Sequence, residues 1–324
     1  MKASTGTSQS RKGSSVLLER RTSELSVAFV NNMPDSAFMA TEKQFINLIT
    51  SGSGSSPVNV SKYSMAGISR GKCVGRAIAQ EYIPIEAIWG SHPDALVITG
   101  SEPLAARLSE EAYWGELACL IHTFVGRTGS VLLSCLSAHA AIQLLDSVIR
   151  TPLSSKCTGV FAQKIVGNHP MTDGIEEPLL LPHSRLNEIT TSSVKRAGYE
   201  VLVGSRQHGW SVASKSVSDT ELLLFQGHPE YSASSLLREY RRDVERFITG
   251  QREEPPPLPA DCVAAADSTA LLALHRRILN GDRDAGLLES FGFDQAASRA
   301  GWPWRRAAVR LFTNWLTLVR QQKS

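Results

Sequence analysis

Val131-Leu132-Leu133-Ser134-Cys135-Leu136-Ser137-Ala138 is the stretch that decides the fold. An apolar run that ends at a cysteine flanked by small residues predicts a buried strand entering a sharp turn. A helix is predicted to follow, from His139 onward. Such a turn raises one side chain off the end of a sheet and leaves backbone N–H groups pointing at whatever that side chain attacks. Cys135 is therefore a candidate nucleophile.

A second segment supplies the groups that a nucleophilic cysteine needs. The apolar run at residues 222–225 predicts another buried strand, and it ends in Gln226-Gly227-His228-Pro229-Glu230-Tyr231. The spacing of His228 and Glu230 places both on one side of an extended chain. Each residue alone has a plainer interpretation: a core cysteine, a His-Pro turn and a solvated carboxylate. Their conjunction at the ends of two strands favours a thiol nucleophile, its base and the group that orients the base.

Strands and helices alternate along most of the chain. We predict strands at residues 26–30, 58–60, 95–99, 131–134 and 222–225, and helices at residues 41–49, 114–125 and 269–279. This alternation predicts an α/β fold with a doubly wound, mostly parallel sheet and helices on both faces.

Four segments divide the chain. Residues 1–24 are Ser-, Thr- and Arg-rich and predict a flexible tail, and residues 25–250 form the main domain. Residues 251–265 contain a proline-rich stretch that predicts a stiff linker. Residues 266–324 are expected to form a C-terminal helical extension that packs back on the main domain. The part between about residues 260 and 300 is interpreted as an insertion.

Composition excludes several classes of protein. The chain has 324 residues, 34 basic and 31 acidic side chains and a net charge of +3, so no strong field indicates nucleic acid as a partner. Five cysteines without a CxxC pair indicate neither a disulfide framework nor a metal site. No apolar run reaches the length of a membrane span, and no secretory signal begins the chain. A cytoplasmic enzyme is expected, with a basic transit peptide as the less favoured interpretation of the tail.

Seven segments together resemble the homoserine O-acyltransferase family of methionine biosynthesis, which is built on the class I glutamine amidotransferase fold. Each is weak alone, but they occur in the family's order. They are Asn32-Met33-Pro34 with Thr41-Glu42-Lys43-Gln44-Phe45, Leu96-Val97-Ile98-Thr99-Gly100 with Ala112-Tyr113-Trp114, Ser134-Cys135 with Ala140-Ala141, Lys156-Cys157-Thr158-Gly159-Val160, Pro182-His183-Ser184-Arg185, Gly227-His228-Pro229-Glu230-Tyr231 with Glu239-Tyr240-Arg241-Arg242-Asp243-Val244, and Leu311-Phe312-Thr313-Asn314-Trp315-Leu316.

The resemblance implies a ping-pong reaction with acyl-CoA as co-substrate and no other cofactor. Cys135 would take the acyl group, His228 would move the proton and Glu230 would hold the imidazole. Backbone N–H groups would hold the oxyanion, with Leu136 as one candidate and Leu104, in the loop after Gly100, as the other.

Four substrate-binding residues are carried over from the family. Arg242 matches the arginine for the homoserine carboxylate, and Lys156, Ser184 and Arg185 match active-site positions. Their plainer interpretations are a surface helix charge, a solvated lysine and a structural turn. Glu42 is expected to cap a helix or to form a salt bridge.

Departures from the family leave the substrates open. Leu136 replaces an aromatic residue, and Leu104 stands where the family separates succinyl from acetyl donors, with Glu102 displaced. Succinyl is slightly favoured, with homoserine as the acceptor and a homodimer as one expected assembly. The alternatives are a branch that acylates serine or another hydroxy amino acid, a glutamine amidotransferase-like hydrolase, and a catalytically silent binding protein.

Overall fold

The computed structural model describes residues 24–323. The tail predicted for residues 1–24 therefore lies outside the described residues, apart from Glu24.

Nine strands and ten α-helices make up the described part of the chain. The strands are β1 (Leu25–Val30), β2 (Val58–Tyr63), β3 (Ala95–Ile98), β4 (Ser130–Ser134), β5 (Thr151–Ile165), β6 (Leu179–Glu188), β7 (Glu200–Ser205), β8 (Gly209–Val217) and β9 (Thr220–Phe225). The helices are α1 (Asp35–Ser53), α2 (Lys72–Glu81), α3 (Trp114–Phe124), α4 (Leu136–Asp146), α5 (Thr191–Arg196), α6 (Ser235–Ile248), α7 (Ala265–Leu279), α8 (Leu287–Ser290), α9 (Phe293–Arg299) and α10 (Arg305–Lys323).

The strands form one sheet in the order β2-β1-β3-β4-β9-β8-β7-β5-β6. Strands β2, β1, β3, β4 and β9 run parallel to one another. The remaining pairings, from β9 through β8, β7 and β5 to β6, are antiparallel. The α/β class is confirmed, but the sheet is mixed rather than mostly parallel. The parallel half carries the strand that ends at Cys135, with β9 beside it.

Apolar side chains on both faces of the strands explain the helices on both sides. In β1, Val27 and Phe29 join one core, whereas Ala28 and Val30 join the other, because successive side chains of a strand point to opposite faces. Helices α1, α6, α7 and α10 cover the first face, and α3, α4 and α5 cover the second. The predicted arrangement of helices on both faces is confirmed.

The C-terminal helices share the core of the sheet. Helix α10 lies against α1 so closely that a Cβ atom at Gly52 would be 2.8 Å from the backbone carbon of Phe312. The indole of Trp315 donates a hydrogen bond to Ser130 at the start of β4 (3.0 Å). Just before α10, the indoles of Trp302 and Trp304 both donate to the backbone carbonyl of Tyr231. The last part of the chain thus contacts the segment that carries His228.

Several element boundaries differ from the predicted ones. Helix α1 begins at Asp35 rather than Thr41, and α4 begins at Leu136 rather than His139, directly after Cys135. Strands β5 to β8 were not predicted. No helix between residues 24 and 323 is long and apolar enough to cross a membrane.

Candidate active site

Cys135 occupies a strained turn between β4 and α4. Its backbone has φ 51° and ψ −107°, a conformation that side-chain-bearing residues rarely adopt. Its N–H donates to the carbonyl of Phe225 at the end of β9 (2.6 Å), which ties the turn to the neighbouring strand. Such backbone strain costs about 1–3 kcal/mol and persists where the surrounding structure enforces it. The half-buried side chain lines a cleft at the carboxyl ends of the parallel strands.

The loop after β3 packs against this turn. A Cβ atom at Gly100 would lie 3.2 Å from the carbonyl oxygen of Ser134 and 3.5 Å from the backbone nitrogen of Leu136. The absence of a side chain at Gly100 therefore permits the close approach of this loop to the turn at Cys135. Because Leu136 is the first residue of α4, its N–H has no acceptor within its own helix and suits an oxyanion.

The prediction that Leu104 contributes to the oxyanion hole is wrong. The side chain of Leu104 is 89% exposed, and its backbone N–H already donates to Glu111 (2.8 Å). Gly100, Ser101, Glu102 and Pro103 line the cleft instead, and a Cβ atom at Gly100 would lie 3.4 Å from the Cβ atom of Cys135.

His228 and Glu230 form a buried pair in the same cleft. The Nδ1 atom of His228 lies 2.8 Å from the Oε1 atom of Glu230, and the two residues are only 6% and 4% exposed. Because Nδ1 faces the carboxylate, Nε2 is left for the thiol or a substrate. Nε2 makes no hydrogen bond within the described residues. The ring stacks on Tyr231, with 4.3 Å between centroids.

The environment of His228 favours a charged imidazole. Burial is the largest influence and lowers the pKa, but the carboxylate of Glu230 and the sulfur of Cys135 outweigh it, so the pKa lies well above its usual value. The sulfur of Cys135 therefore lies close enough to the imidazole to influence its charge. Cys135, His228 and Glu230 thus meet as the sequence predicted.

Two neighbouring histidines are neutral. Burial lowers the pKa of His139 to about 4 and that of His183 well below its usual value. Arg185 can only donate, so the Nδ1 atom of His183, 2.8 Å away, is the acceptor, and Nε2–H faces the hydroxyl of Ser211. A Cβ atom at Gly227 would lie 3.2 Å from Nε2 of His183. His183 therefore supports the backbone that positions His228.

Arg242 and Lys156 line the cleft and share one acidic partner, Asp243. The Nζ atom of Lys156 lies 2.9 Å from Asp243 and 3.6 Å from Glu239. Arg242 contacts Asp243 at 3.3 Å. Arg241 points away, where it contacts Asp294 and the ring of Phe293. Of the two adjacent arginines, Arg242 is the one that a ligand in the cleft would meet.

Ser184 and Arg185 also line the cleft, but both are occupied by protein partners. The hydroxyl of Ser184 donates to Glu239, which accepts a second hydrogen bond from Tyr231. The terminal nitrogens of Arg185 face His183, Cys157 and the carbonyl of His208. Arg185 therefore has fewer free donors for a substrate than Arg242 has.

Glu42 forms the salt bridge that the sequence analysis expected. Its carboxylate lies 2.7 Å from the Nζ atom of Lys62 and accepts a hydrogen bond from the hydroxyl of Tyr82 (2.6 Å). Glu42 does not line the cleft.

Three cations that line the cleft were missed by the sequence analysis. Arg246 pairs with Glu102 through both of its terminal nitrogens, at 2.5 and 3.2 Å. Its position one helical turn after Arg242 was a usable signal, because residues i and i+4 share a helix face. Arg150 and Arg252 stand in connecting segments, where no periodicity indicates the direction of a side chain.

Comparison with known proteins identifies relatives over most of the chain. The family model described as homoserine O-succinyltransferase matches residues 14–324, which includes the segment interpreted as an insertion. The homoserine O-succinyltransferase of Rhodopseudomonas palustris is 36% identical over 292 residues, covering 90% of this chain and 87% of the relative. That of Bradyrhizobium japonicum is 37% identical over 300 residues, covering 90% of this chain and 89% of the relative.

Among solved structures, a glutamine amidotransferase from Thermotoga maritima aligns with a TM-score of 0.46 at 10% sequence identity. The alignment covers 85% of this chain and 96% of that one. The sequence relatives and the family model extend over nearly the whole chain, and they confirm the resemblance carried by the seven segments: the chain belongs to the homoserine O-succinyltransferase family.

Proposed function

We propose that the protein transfers a succinyl group from succinyl-CoA to the hydroxyl of homoserine through an acyl-enzyme on Cys135. One observation carries the proposal: a strained cysteine at a helix N-terminus shares a cleft with a buried histidine–carboxylate pair and several cations. Thiolate, proton carrier and anion-binding groups are the parts that such a transfer requires. The homoserine O-succinyltransferases among the relatives support this choice of substrates.

In the first half-reaction, the thiolate of Cys135 attacks the thioester carbonyl of the donor. A bond forms between Sγ and the carbonyl carbon, and the negative charge moves to the oxygen, where the N–H of Leu136 and the loop at Gly100 meet it. The bond to the CoA sulfur then breaks. The imidazolium of His228 gives that sulfur its proton, so CoA leaves as a thiol and His228 becomes neutral.

In the second half-reaction, neutral His228 accepts the proton of the homoserine hydroxyl. The oxygen attacks the acyl carbonyl on Cys135, the new ester bond forms and the bond to Sγ breaks. Cys135 leaves as a thiolate, and the imidazolium beside it restores the starting pair. Glu230 stabilises this charged imidazole through the contact at Nδ1.

The pairing of Glu102 with a cation favours a succinyl donor. In the family, a glutamate in this loop that occupies the space of the succinyl carboxylate accompanies acetyl donors. Here the carboxylate of Glu102 is bound by Arg246 of α6, which is also the largest cause of its lowered pKa. A carboxylate neutralised in this way repels a second carboxylate less than a free one would.

Purified protein given succinyl-CoA and homoserine should release CoA and form O-succinylhomoserine, detected by mass spectrometry. Acetyl-CoA, serine and glutamine serve as alternative substrates in parallel reactions. Faster acetyl transfer would refute the succinyl donor, faster acylation of serine would refute the acceptor, and glutamine hydrolysis without acyl transfer would refute the transferase. Double-reciprocal plots should be parallel, because CoA leaves before homoserine reacts.

Arg242→Lys is expected to raise the KM for homoserine by roughly tenfold, since lysine keeps the charge but loses the two parallel bonds of a guanidinium. The rate at which acyl-enzyme forms from succinyl-CoA should stay close to that of the wild type. Steady-state kinetics and intact-protein mass spectrometry measure the two quantities separately.

Arg241→Lys is the matched control, because Arg241 lies on the same helix but contacts Asp294 rather than the cleft. It should change neither quantity. A raised KM for homoserine in Arg241→Lys but not in Arg242→Lys would contradict the assignment of Arg242 to the homoserine carboxylate. If neither variant forms the acyl-enzyme, this part of α6 serves the first half-reaction instead.

A further inference from the structure

Most cations that line the cleft already have a protein partner. Arg246 pairs with Glu102, Arg242 with Asp243, and Lys156 with both Asp243 and Glu239. Arg185 donates hydrogen bonds to His183, to the sulfur of Cys157 and to the backbone carbonyl of His208. An anionic ligand must compete with these partners for each of those cations.

Arg150 differs from them. It lies in the connection between α4 and β5, lines the cleft and is half-buried. Among the described residues it makes no hydrogen bond and no ion pair, although burial of an unpaired guanidinium is costly. A charged group in this position is stabilised when an anion occupies the cleft.

The surroundings of Arg150 connect it to the nucleophile. Burial lowers the pKa of Arg150, whereas the charges of Cys135, Tyr113 and Glu111 act in the opposite direction. The carboxylate of Glu111 does not reach Arg150, because it accepts hydrogen bonds from the backbone of Leu104 and Ala105 instead. The sulfur that receives the acyl group is thus within electrostatic reach of the unpaired guanidinium.

We propose that Arg150 binds the distal carboxylate of the succinyl group and thereby selects a dicarboxylic acyl donor. This inference rests on the proposed function. A succinyl group carries its carboxylate only two methylene groups beyond the carbonyl that Cys135 attacks. The cation that recognises this carboxylate therefore has to lie near Cys135. Its interaction with the carboxylate is strongest if the cation is not already paired with a carboxylate of the protein.

Arg252 is the nearest competitor for this role and provides the control. It also lines the cleft and has no carboxylate partner within the described residues. Its Nε atom, however, donates to the backbone carbonyl of Glu254 (2.6 Å), in the exposed loop after α6. Replacing it changes the charge of the cleft equally but leaves Arg150 in place.

The test compares Arg150→Met with Arg252→Met in the full-length protein. The donors are succinyl-CoA, butyryl-CoA, which has the same chain length without the carboxylate, and S-succinyl-pantetheine, which lacks the nucleotide phosphates. Single-turnover acylation of Cys135, followed by intact-protein mass spectrometry, reports kcat/KM for each donor even when turnover is slow.

Arg150→Met should lower kcat/KM for both succinyl donors by roughly 10- to 100-fold, the effect of losing a charge-assisted hydrogen bond. Its reaction with butyryl-CoA should stay within about threefold of the wild type, which also reports correct folding. Arg150→Lys should recover part of the succinyl rate. Arg252→Met should leave the ratio of succinyl to butyryl rates unchanged.

Three results would overturn the inference. Equal losses with succinyl-CoA and butyryl-CoA would mean that Arg150 supports the thiolate or the fold. A loss seen with succinyl-CoA but not with succinyl-pantetheine would assign Arg150 to the phosphates of CoA. An unchanged succinyl rate would give it no role. In all three cases the wild type still forms O-succinylhomoserine, whereas failure of the proposed function appears as a wild type that transfers no acyl group to homoserine.

Discussion

Cys135→Ala is expected to abolish acyl transfer, with a loss of at least about 10⁴-fold in kcat, because no other group in the cleft can form the thioester intermediate. The variant should fold, since alanine is smaller than cysteine and the strained turn is held by the backbone contact with Phe225. Intact-protein mass spectrometry after mixing with succinyl-CoA measures the effect directly. The wild type should gain one succinyl group, and the variant none.

Cys73→Ala and Cys262→Ala are the controls for this experiment. Cys73 is exposed, Cys262 is buried in the core, and neither lines the cleft. Both variants should accept the succinyl group as the wild type does. Continued labelling of Cys135→Ala at another residue, with transfer to homoserine retained, would refute the assignment of the nucleophile.

His228→Ala is expected to lower kcat by about a hundredfold or more, the usual contribution of a positioned acid–base group. Glu230→Gln should have a smaller effect on kcat and leave the KM for homoserine nearly unchanged, because its side chain contacts the imidazole. Stopped-flow measurement of CoA release separates the first half-reaction from overall turnover. His122→Ala, at an exposed position on α3, serves as the control.

The Glu230→Gln variant also has an expected pH profile. Burial lowers the pKa of His228, and the negative charge of Glu230 is the largest influence that raises it. Removing that charge lowers the pKa, so imidazolium is lost at a lower pH. Imidazolium protonates the departing CoA sulfur. In a plot of the acylation rate against pH, the decline on the alkaline side should therefore occur at lower pH in the variant than in the wild type. An alkaline decline at the same pH as in the wild type, or a fully active His228→Ala variant, would contradict the role of His228 in proton transfer.

The three proposed catalytic residues could be located from the sequence because they lie just after buried strands. Apolar runs identify β4 and β9, and the ends of parallel strands meet at one edge of a sheet. The pairing of Cys135 with His228 therefore depends on sheet topology more than on any loop. Arg242 was carried over from the family motif, and the structure adds that it lines the cleft whereas the adjacent Arg241 contacts Asp294.

Loops and antiparallel strands were less predictable. The position of Leu104 depends on Glu111, which binds two backbone N–H groups of the loop and turns Leu104 outward. Counting residues along the loop could not reveal that contact. Strand β5 is largely polar and exposed in its first half, so it lacks the alternating apolar pattern that identifies a strand. Arg150 directly precedes this strand, so the direction of its side chain could not be inferred from the sequence either.

The position of helix α10 in the core makes folding of the domain depend on a segment that is synthesised after the proposed catalytic residues. All three proposed catalytic side chains precede residue 231, yet the core beneath β1 and β4 includes Trp315 and its neighbours, which the ribosome adds later. A nascent chain that already carries Cys135, His228 and Glu230 still exposes the face of α1 that α10 will cover. A premature stop codon anywhere between residues 250 and 304 would therefore yield a polypeptide with every reactive group and no closed core, a substrate for proteases rather than a smaller enzyme.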